Sequence, residues 1–148
     1  MVLVRAILAT GAAAVAALAV TSVAVAASPH AKARALLLKC RGGMTSLYIG
    51  PVTANTSEVP RMNQRAHAAY LKCGATGSML DLASAHPRDA ALEDAYRAYF
   101  ELGLGIGDYQ QYLTNVAFGH TGVGILHTAE REIAQGRTLT KRVLPKLA

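Results

Sequence analysis

Cysteine is scarce in this chain, and the two that occur, Cys40 and Cys73, lie far outside Cys-x-x-Cys spacing. That excludes a cysteine zinc ribbon and a thioredoxin-type redox centre. The Cys-x-x-Cys-His run is also missing, so any haem would have to be held without covalent attachment. No serine sits in the glycine-flanked elbow of a hydrolase nucleophile. Gly103-x-Gly105-x-Gly107 shares only its letters with a phosphate-cradling loop. Such loops follow a strand, and these glycines follow a helical pattern.

Acidic residues are few as well, nine against fifteen Lys and Arg. None falls in the last twelve residues, which hold Arg137, Lys141, Arg142 and Lys146. The excess of positive charge is therefore concentrated at one end. The remainder is close to neutral, which argues against a nucleic-acid surface.

Long apolar runs are limited to one. Ala6–Val25 carries no acid or base, follows the single charge of Arg5, and ends on small residues around Ala24–Ala27. This is the pattern of a secretory signal peptide, predicted over 1–27 and removed on export. No cysteine follows it at once, so a lipoprotein is not expected, and no second run could span a bilayer after cleavage. The expected location is secreted, periplasmic or at the cell envelope. In an oxidising compartment an even pair of cysteines becomes a disulfide, so Cys40–Cys73 is predicted as a structural bridge.

What remains reads as helix. From Arg88 to Gly107 the positions Leu92, Ala95, Tyr96, Tyr99, Leu102, Gly103 and Ile106 share one face at three- and four-residue steps. The rest of the chain is organised around this segment, with Gly107 as its stop and Asp108 as a cap for the next helix. Pro29–Arg41 is a first helix stopped by Gly42-Gly43, and Ser57–Cys73 a second stopped by Gly74. A short helix runs from Ser78 to His86-Pro87, and a last long one from Tyr109 to Gln135 with Gly136 as its stop. Within the latter, Gly119, Gly122 and Gly124 either admit a close neighbouring backbone or break the helix near Gly119. Thr45–Ile49 has strand-like composition but no partner. The fold class is all-α, a small bundle of about four main helices plus one short one. One domain is expected over 28–136, with 137–148 as a basic flexible tail.

The disulfide constrains the arrangement. Both cysteines fall in the last turns of their helices, and a bridge needs Cα atoms within about 7 Å. The first two helices must therefore run roughly parallel or cross near those ends.

Three functional classes follow. The favoured one is a non-enzymatic binding or structural module of the envelope, with the basic tail touching an anionic envelope surface. No cofactor is expected on that reading. The alternative is a metal- or haem-binding bundle. His127 and Glu130 are its candidate ligands, completed by His67 or His86, because Glu130 falls on the apparent core stripe between Leu126 and Ile133. A small secreted hydrolase built on Asp81, Ser84 and His86 is the third.

Overall fold

The computed structural model describes residues 26–52 and 57–148, so the predicted signal peptide lies outside the described residues except for its last two. Five α-helices follow in order: α1 Pro29–Met44, α2 Glu58–Lys72, α3 Thr76–Ala85, α4 Ala90–Ala117 and α5 Val123–Val143. A 3-10 turn, Leu144–Leu147, closes the chain. No strand occurs among the described residues, and Thr45–Ile49 is turn and irregular backbone. The all-α bundle of four main helices and one short one is the observed class.

The segment that dominates the sequence pattern also dominates the packing. At 28 residues, or about 42 Å at 1.5 Å per residue, α4 packs against every other helix and pairs most extensively with α5. Asp89 caps it, Oδ1 accepting from the backbone N–H groups of Ala91 (3.0 Å) and Leu92 (3.2 Å). Its other oxygen accepts from His30 Nε2 at 2.6 Å, which ties the start of α1 to the start of α4. That bond, aided by the backbone donors and opposed by desolvation, holds the Asp89 carboxyl below its ordinary pKa.

Gly107 does not stop α4. The stripe Leu102, Ile106, Tyr109, Leu113, Val116 keeps its 4-3 phase straight through it, and all five are buried. A glycine costs a helix interior about 1 kcal/mol. Burying two tyrosines and a leucine on the far side outweighs that. The stop comes at Phe118–Gly122. Gly119, at φ +80°, donates to Val116 O, and His120 N donates to Asn115 O at 2.9 Å, the paired bonds of a Schellman cap. Gly122, at φ +54°, then opens α5. The predicted helix Tyr109–Gln135 is thus the end of α4 and the start of α5, folded back on each other.

The basic tail is also corrected. Arg137–Val143 continues α5, and Leu144–Leu147 follows as the 3-10 turn with Pro145 in its first positions. Gly136, Thr140, Val143 and Leu147 are buried, continuing the face of Leu126, Ala129 and Ile133. Lys146 Nζ reaches Asp94 Oδ2 at 2.9 Å in a half-exposed pair, a contact worth less than about 1 kcal/mol. Apolar docking, and not that pair, orders the segment.

Cys40 and Cys73 form the expected disulfide, with Cα atoms 4.4 Å apart. The C-terminal ends of α1 and α2 meet there, as the bridge requires. Gly43, read from the sequence as part of a stop, lies inside α1 instead. A methyl group on it would stand 2.9 Å from Lys72 Cβ, so its missing side chain makes room for α2.

Buried tyrosines fasten the irregular segments to α4. Tyr99 Oη accepts from Ala75 N at 2.9 Å, and Tyr112 Oη accepts from Val52 N at 2.9 Å. Tyr109 Oη donates to Gly50 O at 3.4 Å. Burial, reinforced by the neighbouring Tyr112, pushes the Tyr109 phenol up to about 12.

Candidate functional site

The residues first suspected of chemistry are dispersed. His127 and Glu130 are both exposed on α5. Once α4 breaks, the phase of α5 is set by Leu126, Ala129, Ile133 and Gly136, and Glu130 falls one residue off that inward face. His120 lies exposed in the α4–α5 turn, His67 on α2 and His86 at the end of α3. No group of three or more His, Cys, Asp or Glu among the described residues is placed to hold a metal ion. Asp81, Ser84 and His86 are exposed on or beside α3, and no hydrogen bond among the described residues joins their side chains.

A carboxylate in an awkward place does exist, two residues further on. Glu132 Oε2 is buried without a hydrogen-bond partner among the described residues. Burial raises its pKa, and the nearby charges of Asp108 and Glu101 raise it further, against a smaller opposite effect of Arg131. Glu101 itself accepts from Gln135 Nε2 at 3.1 Å. A raised carboxyl pKa means that the fold disfavours the charged form. Stability is then fully present below the ordinary value of 4.5 and falls as pH rises through the shifted one. Glu132→Gln is expected to raise stability at pH 7 by up to about 1 kcal/mol, a modest figure because the residue is only half-buried. The gain should vanish below about pH 4, where wild-type Glu132 is protonated. Paired urea titrations at pH 7 and pH 3.5 check both halves; an equal gain at both pH values would mean that charge is not the cause.

The constellation with a common direction lies elsewhere. Between the end of α1, the middle of α4 and the last turns of α5 is a cleft of about 250 Å³. Buried Met44 and Leu102 form its apolar floor, and Arg41, Arg137 and Lys141 stand exposed at its rim. The lining contains no acid, and none of the three cations makes an ion pair among the described residues. Thr45 and Thr140 complete the wall.

The fold creates this site by extending α5. Helical continuation past Gly136 brings Arg137 and Lys141, one turn apart, over the end of α1, where Arg41 lies in the last turn. Arg41 and Lys141 each suit the negative end of their own helix, whereas Arg137 lies six residues before the end of α5. The helix dipole does not account for three of them converging on one cleft from two helices. A wider groove between α1 and α3, about 540 Å³, also carries Lys32 and Lys39, but there Asp81 offsets them.

Sequence reasoning had placed Arg137 and Lys141 on a basic segment but missed Arg41, which belongs to the site only because the disulfide-bonded end of α1 lies beside α5. The chain matches no protein-family model, no curated protein and no solved structure. Function therefore has to be read from the cleft itself.

Proposed function

We propose that this protein is an exported, non-enzymatic binding module that engages an anionic component of the cell envelope through the Arg41–Arg137–Lys141 cleft. The observation that carries this reading is three cations around one concavity with no acid in its lining. Unpaired like charges repel, and an anion relieves that repulsion. Export is supported by the N-terminal apolar run and by the bridge between two fully buried cysteines, which suits an oxidising compartment. No described helix is long and apolar enough to cross a membrane.

The lining has no carboxylate, imidazole or thiol to move a proton or attack a substrate. Its groups attract and orient, which suits binding better than turnover.

The test is sedimentation of the purified protein with anionic vesicles or cell-envelope preparations. Each basic residue near such a surface contributes about 1 kcal/mol, so Arg137→Glu with Lys141→Glu should weaken binding by roughly 30-fold or more. Both side chains are exposed, so the fold should survive, and circular dichroism verifies that. Binding should also weaken in high salt, as surface electrostatics requires. Undiminished binding by the folded double variant would overturn the proposal.

A further inference from the structure

The two hydroxyl groups in the cleft restrict the ligand more than the cations do. Thr45 Oγ1 donates its hydrogen to Gly42 O at 2.8 Å, and Thr140 Oγ1 donates to Gly136 O at 2.8 Å. A hydroxyl has one hydrogen to give and two lone pairs. With both hydrogens committed to helix carbonyls, Thr45 and Thr140 face a ligand only as acceptors. The donors available in the cleft are then the guanidinium and ammonium groups of Arg41, Arg137 and Lys141.

A ligand that satisfies both sets must carry an anionic group for the cations and its own hydrogen-bond donor for the threonines. An ammonium donor would be repelled by three positive charges, so the donor is a neutral one, and hydroxyl is the neutral donor that phosphate esters of short polyols carry beside the anionic group. Arginine favours phosphate oxygens through its paired N–H groups. The floor of Met44 and Leu102 is apolar and suits the C–H face of a short carbon skeleton. The volume, about 250 Å³, lies just below the range of roughly 300–1,000 Å³ typical of small-molecule sites. It fits one headgroup.

From these features we infer that the cleft selects a polyol phosphate, a phosphate ester with free hydroxyls of the glycerol-phosphate type. The inference rests on the proposed anion-binding function and narrows it. The same chemistry is available from two sources, the phosphoglycerol head of an anionic membrane lipid and a soluble glycerol phosphate ester.

Vesicles containing 30 mol % phosphatidylglycerol and vesicles containing 30 mol % phosphatidylserine carry comparable net charge in a phosphatidylcholine background. They differ in presenting hydroxyls or an ammonium with a carboxylate. Phosphatidylglycerol vesicles are expected to bind at least about tenfold more tightly, because a partner without hydroxyls leaves the buried Thr140 acceptor and the exposed Thr45 acceptor unmatched. Thr45→Val with Thr140→Val keeps side-chain size and all three cations while removing both acceptors. In that variant the preference should fall to near one while attachment to either anionic vesicle persists. Displacement from phosphatidylglycerol vesicles by millimolar sn-glycerol 3-phosphate would assign the soluble ester as a ligand in its own right. Failure of displacement, with the preference intact, would assign the lipid.

Equal binding to the two anionic vesicles by the wild type would overturn the polyol selection and leave the broader anion-binding reading standing. A preference unchanged in the folded threonine variant would also overturn it. Absence of binding to both vesicles and to glycerol phosphate would remove the selection and count against the anionic-surface reading together.

Discussion

Removing the Cys40–Cys73 bond by the double substitution to alanine is expected to lower stability by roughly 3–4 kcal/mol. The two cysteines are 33 residues apart in sequence, and the chain-entropy model assigns a closed loop of that length about 3.7 kcal/mol. At about 2.1 cal/mol/K of unfolding entropy per residue, a domain of this size should lose about 10–15 °C in melting temperature. The loss should be regional before it is global. The bridge joins the ends of α1 and α2, whereas the extensive α4–α5 pairing does not depend on it. Hydrogen exchange in the variant should therefore accelerate in α1 and α2 well before it does in the centre of α4. Thermal unfolding followed by circular dichroism, with and without reductant on the wild type, measures the first effect. A drop below about 3 °C would show that the covalent link adds little to contacts that already hold the two helix ends together. Arg41 neighbours Cys40, so the same variant should also weaken binding at the cleft by letting the end of α1 drift from α5.

Much of this architecture is legible in the residues, and the failures share one cause. The apolar stripe of α4 and the disulfide follow from local pattern and from a distance limit. The boundaries went astray where glycines were read as punctuation. Gly43, Gly107 and Gly136 each stand inside a helix, because burial on both sides exceeds a propensity cost of about 1 kcal/mol. Among the described residues only Gly119 and Gly122 have the positive φ that a helix boundary uses. The end of α5 was recoverable: Ile133, Gly136, Thr140, Val143 and Leu147 keep a 3-4 rhythm through the supposed tail. Misplacing the α4–α5 break then put Glu130 on a core face and suggested a metal, when the poorly solvated carboxylate is Glu132. The cleft could not have been found from local pattern. It needs Arg41 and Lys141, a hundred residues apart in sequence, to meet across a disulfide-fixed helix end.

The sharpest test of the fold lies in two glycines of α4 that differ by two positions. A methyl group on Gly105 would stand 2.5 Å from Ile133 Cγ1 and 3.0 Å from both Ala129 O and Ile133 N. Two of those three atoms are backbone, so no rotamer change relieves the contact and α5 would have to move away bodily. A methyl group on Gly107 would meet nothing within 4 Å. Both glycines are helical, so alanine brings the same propensity gain of up to about 1 kcal/mol at either site. At Gly107 that gain is unopposed, and Gly107→Ala should stabilise by about 0.5–1 kcal/mol. At Gly105 overpacking of a tight interface costs roughly 1–3 kcal/mol or more, and the backbone contacts place this site at the upper end. Gly105→Ala is therefore expected to destabilise by about 2 kcal/mol net, and Gly105→Val by more. A methyl group on Gly136 would stand 2.9 Å from Leu102 N, so Gly136→Ala should behave like Gly105→Ala. Trimming the opposing side chain with Ile133→Ala should not rescue Gly105→Ala, since the backbone atoms of Ala129 and Ile133 remain. Urea denaturation of the four single variants and the Gly105→Ala, Ile133→Ala double variant compares them under one condition. Opposite signs at positions 105 and 107 are the signature of α5 lying directly against the α4 backbone. Equal, stabilising effects at both would mean that the two helices stand further apart than this packing requires, and the cleft formed by the continuation of α5 past Gly136 would lose its wall.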